Sequence, residues 1–307
     1  MPKFVFYGYD QLSLDFLDSA EFFAEEAVKL ENAFYWDQNW QVRKKKLEHA
    51  HLDARFEQNS FAYTSGSIFA SIAFLNAAIN EVFPGAAKYN AEKSAGKATE
   101  SPFEHLPDSV IDALAEIKFT QNIKLEDYPG LERKIEYADK GEYKNKQFRR
   151  WYLLNKFQLA LYKAHGQTKL LSINGSIWKN VKLVFQLRDI LIHNQPVPIL
   201  HQPSDGSYKA LEDSPPAQRT AELLAFFKEH DFRNRLYEEA EASNISGVWA
   251  ASVTHWLGAK AAVWAIQSCL KFAHEFYKRM PMPTTARLIE SRLEELDYPS
   301  FVLTTPR

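Results

Sequence analysis

Ile68-Phe69-Ala70-Ser71-Ile72-Ala73-Phe74-Leu75-Asn76-Ala77-Ala78-Ile79-Asn80-Glu81-Val82-Phe83 sets Ile68, Ile72, Leu75, Ile79 and Val82 in steps of four and three. That spacing draws one continuous apolar stripe along an α-helix, whereas a half-buried strand alternates every second residue. Pro84-Gly85 follows and is expected to stop the helix. Ser71, Asn76, Asn80 and Glu81 break the apolar run, which at 16 residues is shorter than the roughly 20 a bilayer requires. The segment reads as a buried helix, and no membrane partner is expected.

Helical periodicity extends outward in both directions. Leu14, Phe16, Leu17, Phe22, Phe23 and Val28 give an amphipathic helix from Leu12 to about Leu30 with acidic residues outside, and a second, basic at its centre, is expected from about Trp36 to Phe56. From about 84 to 141 the pattern weakens into Gly, Lys, Ser and Pro, an irregular insertion with one short helix from Pro107-Asp108-Ser109 to Phe119. A long helix should run from about Lys144 to His165 and end at Gly166, its buried side supplied by Phe148, Trp151, Tyr152, Leu154, Leu159 and Tyr162. The next opens near Asn174-Gly175-Ser176 and runs to about His193, where Pro196 and Pro198 forbid continuation.

Residues 194 to about 216 read as an irregular connection, and Ala259 to Arg279 is the best defined of the closing helices, with Val263, Ile266, Leu270, Ala273 and Phe276 on its buried face. Trp249, Trp256 and Trp264 fit either a core or an interface. The expected fold class is all-α: one helical-bundle domain over 1–307, with additional N-terminal and C-terminal helices around the insertion.

Composition narrows the chemistry. At 307 residues and 46% apolar, the chain can bury a core without a metal or disulfide staple. Cys269 is the single cysteine, so neither a disulfide nor a cysteine zinc cluster can be assembled within the chain, and a reducing compartment fits. The first ten residues do not read as a signal peptide, and a cytoplasmic location is expected. A net charge of −2 gives no global attraction to nucleic acid, so any such binding needs a local patch. Lys144, Lys146, Arg149 and Arg150 form one, with Phe148 and Trp151 beside them for base stacking. An ordinary solvated helix face explains the same residues.

Arg188-Asp189-Ile190-Leu191-Ile192-His193 is the stretch that carries chemistry. Asp189 and His193 are four apart, so the carboxylate can reach the imidazole, fix its tautomer and raise its basicity. Arg188 falls on the line Ile177, Val181, Val184, Arg188, Leu191, where a permanent cation on an apolar stripe requires a partner. Arg188 and His193 lie about 140° apart on an ideal helix, and fraying at its end lets both face one groove. A guanidinium gripping a phosphodiester while an imidazole takes the proton of a ribose 2′-hydroxyl is sufficient to cleave RNA without metal.

Arginine, a polar Asp, three residues and a helix-terminal His resemble the signature of the HEPN superfamily. The stripe helix with Asn80-Glu81, the long basic helix and the motif helix with its Pro-rich exit add to the likeness, which covers about 60–200 plus 245–280. The resemblance implies a helical bundle acting as a homodimer, with two motifs meeting in one cleft. It also implies a metal-independent endoribonuclease of a toxin-antitoxin or defence system, partnered by RNA and by a cognate antitoxin or regulatory protein. Catalytic roles would fall to Arg188 as phosphate stabiliser, Asp189 as the polar neighbour and His193 as base. Inactive members of the superfamily bind nucleotides or proteins.

Plainer readings stand beside this one. Arg188, Asp189 and His193 also fit an ion pair closing a core helix, with His193 at the negative end of its dipole. Arg43 and His49 meet the loose spacing too, but Lys44 follows the arginine in a solvated basic run. His49 and His51, two apart, point away from each other on a helix and make a poor metal site with Asp53. No Gly-rich phosphate loop or nucleophile elbow is present, and no cofactor is expected.

Overall fold

The computed structural model describes residues 12–36, 54–97, 101–117, 153–193, 197–202, 207–210, most of 223–230, 248–251 and 257–297. Their order is α1 (Leu12–Trp36), α2 (Ala54–Ser94), α3 (Asp108–Ala115), α4 (Leu153–His165), α5 (Ser176–His193), β1 (Val197–Gln202), β2 (Ser207–Ala210), β3 (Val248–Ala251), α6 (Ala259–Arg279) and α7 (Pro283–Glu295). The fold class is all-α, as the helical periodicity dictates. The basic segment from 37 to 53, and with it His49, His51 and Asp53, lies outside the described residues, as do Trp256 and 144–152.

The apolar stripe of α2 is core: Ile68, Leu75 and Ile79 are fully buried, and Ile72 and Val82 nearly so. By length and composition the Gln58–Ser94 portion of α2 could cross a bilayer, but 67% of its most apolar window is buried within the protein. Pro84 does not stop this helix, which runs ten residues further, to Ser94. A helix-interior proline removes one backbone hydrogen bond and crowds the preceding turn, at a cost of about 3 kcal/mol. Burial on the far side offsets it: Phe83, Ala86 and Tyr89 are all buried, and the Tyr89 ring meets Phe103 at 6.2 Å. The helix ends instead where Gly96 takes a left-handed φ of +69°. The first part of the expected irregular insertion is therefore mostly helix, and α3 follows it, shorter than expected, with Pro107 at its N-cap.

Two compact units make up the chain. The first comprises 1–16, 73–180 and 269–293, and the second 17–72, 181–268 and 294–307. Within the first, α4 is buried nearly all round: Phe157, Leu159, Ala160 and Leu161 have no exposed surface, nor do Asn155 and Gln158. Phe157 meets Phe276 at 4.8 Å and Phe272 at 5.0 Å, both edge to face, the geometry that aromatic quadrupoles favour. The Gln158 amide behaves as an extra peptide group. Its Nε2 donates to Leu171 O at 2.8 Å, and Leu171 N donates to its Oε1 at 2.9 Å. Both polar ends are thus satisfied where water is excluded. Gly166, with φ +61°, ends α4 at the stop expected from the sequence. Cys269 is fully buried in the same unit, and burial pushes its thiol up, far out of the range where a reactive thiolate forms.

In the second unit, Ala27 and Val28 of α1 pack with Ala259, Val263 and Tyr63. Glu31 is buried and accepts from Ala259 N at 2.6 Å, so a carboxylate sits on the first turn of α6, where the helix dipole favours it. Gly66 faces the Phe23 ring so closely that a Cβ there would lie 3.1 Å from it. Trp264 is core, 5.2 Å from Phe226 and 6.4 Å from Phe227. Phe22, expected on the buried side of α1, is 55% exposed.

The connection after α5 is not wholly irregular. β1 is the centre of a three-stranded antiparallel sheet ordered β2-β1-β3, with Ile199 paired to Ala210 on one side and Trp249 on the other. Pro198, unable to donate, pairs only with Ala250 and lies beyond the register shared with β2.

Two substitutions test these assignments by urea unfolding. Pro84→Ala, at an exposed position inside α2, is expected to raise stability by about 1–3 kcal/mol, since it restores a helical donor; no gain would mean the local bend is required by the packing. Gly66→Leu is expected to cost about 1–3 kcal/mol, because the Phe23 ring leaves no room for the side chain.

Candidate functional site

The motif helix α5 belongs to the second unit from Val181 onward. Its buried line is Val181, Val184, Leu187 and Leu191. Ile177 and Arg188, which spacing alone assigns to that line, sit at intermediate depth instead. Arg188 therefore occupies the edge of the apolar stripe, with its guanidinium carbon 5.3 Å from the centre of the Phe185 ring one turn earlier.

The partner that a cation at this depth requires is its neighbour. Arg188 Nε donates to Asp189 Oδ1 at 2.9 Å and Nη2 donates to the same oxygen at 2.5 Å. Adjacent helical residues normally diverge by about 100°, so the long arginine side chain must sweep sideways across the helix to reach Asp189. α5 stays helical through His193, its last residue. Asp189 and His193 are thus one turn apart on one face, and the Asp189 carboxylate draws the guanidinium toward that face. The imidazole of His193 lies outside the described side chains, as do Lys144, Lys146, Arg149 and Arg150 of the basic patch.

The Arg188 and Asp189 side chains are 32% and 47% exposed. Both can be reached from solvent, yet each is covered enough to hold a preferred geometry. A fork-shaped donor held over a carboxylate, next to a helix-terminal histidine, can orient a bound anion and place a base near it.

A second concentration of polar chemistry, in the first unit, is marked in the sequence only by the Asn80-Glu81 pair of the stripe helix. Glu81 accepts from Ser13 N at 2.8 Å and from Ser13 Oγ at 2.6 Å, and together with Tyr277 and Thr285 these residues line a mostly apolar cavity. The one local signal is a carboxylate inside the apolar run of α2. Ser13 and Tyr277 are 68 and 196 positions away in the chain, and no local pattern links them to it.

No protein-family model, curated protein or solved structure matches the chain.

An exposed ion pair contributes about 0–1 kcal/mol. Asp189→Ala and Arg188→Ala are accordingly expected to lower unfolding stability by less than about 1 kcal/mol each. A loss of several kcal/mol would identify the pair as a structural closure of α5 instead of a working site.

Proposed function

We propose that the chain is a HEPN-like, metal-independent endoribonuclease whose working groups are Arg188, Asp189 and His193. The observation that carries this reading is the sideways pairing of Arg188 with Asp189, which brings a solvent-accessible guanidinium toward the face of α5 that His193 shares. In the reaction, His193 removes the proton of a ribose 2′-hydroxyl, and the freed oxygen attacks the adjacent phosphorus. The bond from phosphorus to the 5′ oxygen breaks, that oxygen takes up a proton from solvent, and a 2′,3′-cyclic phosphate and a 5′-hydroxyl result. Arg188 neutralises charge gathering on the phosphate oxygens, and Asp189 holds it in place. Lys144, Lys146, Arg149 and Arg150 would track the RNA backbone in this scheme.

The motif is small and open, and it would be completed by a second copy of the chain, with two α5 ends facing one RNA. Ile192, 58% exposed beside His193, is an apolar residue such a contact would cover. A cytoplasmic toxin or defence role, controlled by a cognate antitoxin or regulatory protein, accords with this chemistry.

The same pairing favours one other reading. Asp189 Oδ1 is already engaged by Arg188, as in a module that grips a nucleotide, RNA or a protein through the guanidinium without turnover. The two readings separate on cleavage of a mixed RNA pool in excess chelator. The wild type is expected to cut, and His193→Ala to cut about 10²- to 10⁴-fold more slowly. Arg188→Lys keeps the charge but not the planar fork, and is expected to lose most activity while folding normally. RNA binding that weakens steeply with salt, without cleavage by any variant, would establish the binding module.

A further inference from the structure

Another cavity lies at the start of α5, and all of its described lining belongs to the first unit. Its volume is about 130 Å³. A single water needs about 10–15 Å³ of such space, so there is room for a polyatomic ligand. Leu171, Ile177 and Phe272 supply an apolar wall.

The rest of the lining is rich in donors that lack acceptors. Gly175 stands at the N-cap of α5, its carbonyl accepting from Lys179 N at 3.0 Å, and it has no side chain with which to cap the turn. The N–H groups of Ser176, Ile177 and Trp178 accordingly meet no acceptor among the described residues. Trp178 supplies an independent sign of a ligand: it lines the cavity, is 2% exposed, and its indole Nε1–H is buried without a hydrogen-bond partner among the described residues. A helical side chain leans back toward the N-terminus of its own helix, which carries this indole over the open first turn, with the Phe272 ring 5.8 Å away. A buried donor left unmet costs free energy that an acceptor in the cavity would recover.

Charge narrows the choice of acceptor. Glu275 and Arg279 both line the cavity and are paired, Arg279 Nε and Nη2 donating to Glu275 Oε1 at 2.8 and 2.6 Å while Nη1 donates to Leu170 O. With that pair balanced, the positive end of the α5 dipole is left over, and it favours an anion. We infer that this cavity is a binding site for a short aliphatic monocarboxylate, its carboxylate accepting from the Trp178 indole and the first-turn N–H groups of α5 and its body lying against Leu171, Ile177 and Phe272. An ammonium carries donors only and cannot answer these groups. A phosphate dianion would bring a second negative charge beside Glu275 and no body for the apolar wall. None of these residues belongs to the Arg188 motif, so the failure of either reading leaves the other standing.

The test is an NMR titration of the full chain at constant ionic strength with isobutyrate and, separately, isobutanol, isobutylamine and inorganic phosphate, following the Trp178 indole N–H and the Ile177 amide. Isobutyrate is expected to give saturable shifts at both, and the other three to bind at least about tenfold more weakly. Trp178→Phe keeps a ring but removes the donor, and should weaken isobutyrate about tenfold or more, read at the Ile177 amide. Ser176→Asp, at an exposed position in the first turn of α5, should leave the melting temperature unchanged or higher, since an acid is favoured there, while its carboxylate competes with isobutyrate and abolishes binding. Absence of saturable shifts with isobutyrate, equal binding of any of the other three compounds, or undiminished binding by a folded Trp178→Phe or Ser176→Asp variant would each overturn the proposal.

Discussion

A helix buried on nearly every side has little surface left for water, and α4 imposes that condition on the first unit. Phe157 is met edge to face by Phe272 and Phe276, and Gln158 is met by backbone. A pair of rings thus answers the apolar position and a peptide group the polar one. The loop after Gly166 is shaped by this demand, since Leu171 has to offer both its N–H and its C=O to the amide of Gln158. Arg279, at the end of α6, completes the same region by donating to Leu170 O at 2.6 Å while paired with Glu275. Polar and apolar packing here are one arrangement, and neither survives a shift of the other.

Legible in the sequence is whatever depends on local rules. The span Ala259–Arg279, the stop at Gly166 and the start of α5 near Ser176 follow from periodicity, left-handed glycine and capping, and the structure has all three. Hidden from it is whatever depends on partners remote in the chain. A proline penalty is local and legible as a cost, but the burial of Ala86 and Tyr89 that outweighs it is tertiary. Asn155 and Gln158 look like surface residues until Leu171 is known to face one of them, and Glu31 looks like part of an acidic outer face until Ala259 N is found on it. The strands after Pro196 are too short to stand out from a proline-rich stretch.

For the candidate site, the residue types are legible, but the pairing of Arg188 with the acid beside it is not. Spacing lets the Asp189 carboxylate reach forward four residues to His193, whose side chain lies outside those described; the described partner of Asp189 is the arginine beside it. A permanent cation at the rim of a core cannot shed its charge, so it is held against the nearest acid. Such a pairing also keeps Arg188 extended over the helix surface rather than folded into it.

The interior thiol of Cys269 has a practical consequence of another kind. As the chain's single sulfhydryl, fully enclosed and held protonated, it can meet an alkylating reagent only when the surrounding helices part. The rate at which it is capped thus becomes a clock for excursions of that core away from its closed form, readable by mass alone and without any introduced label.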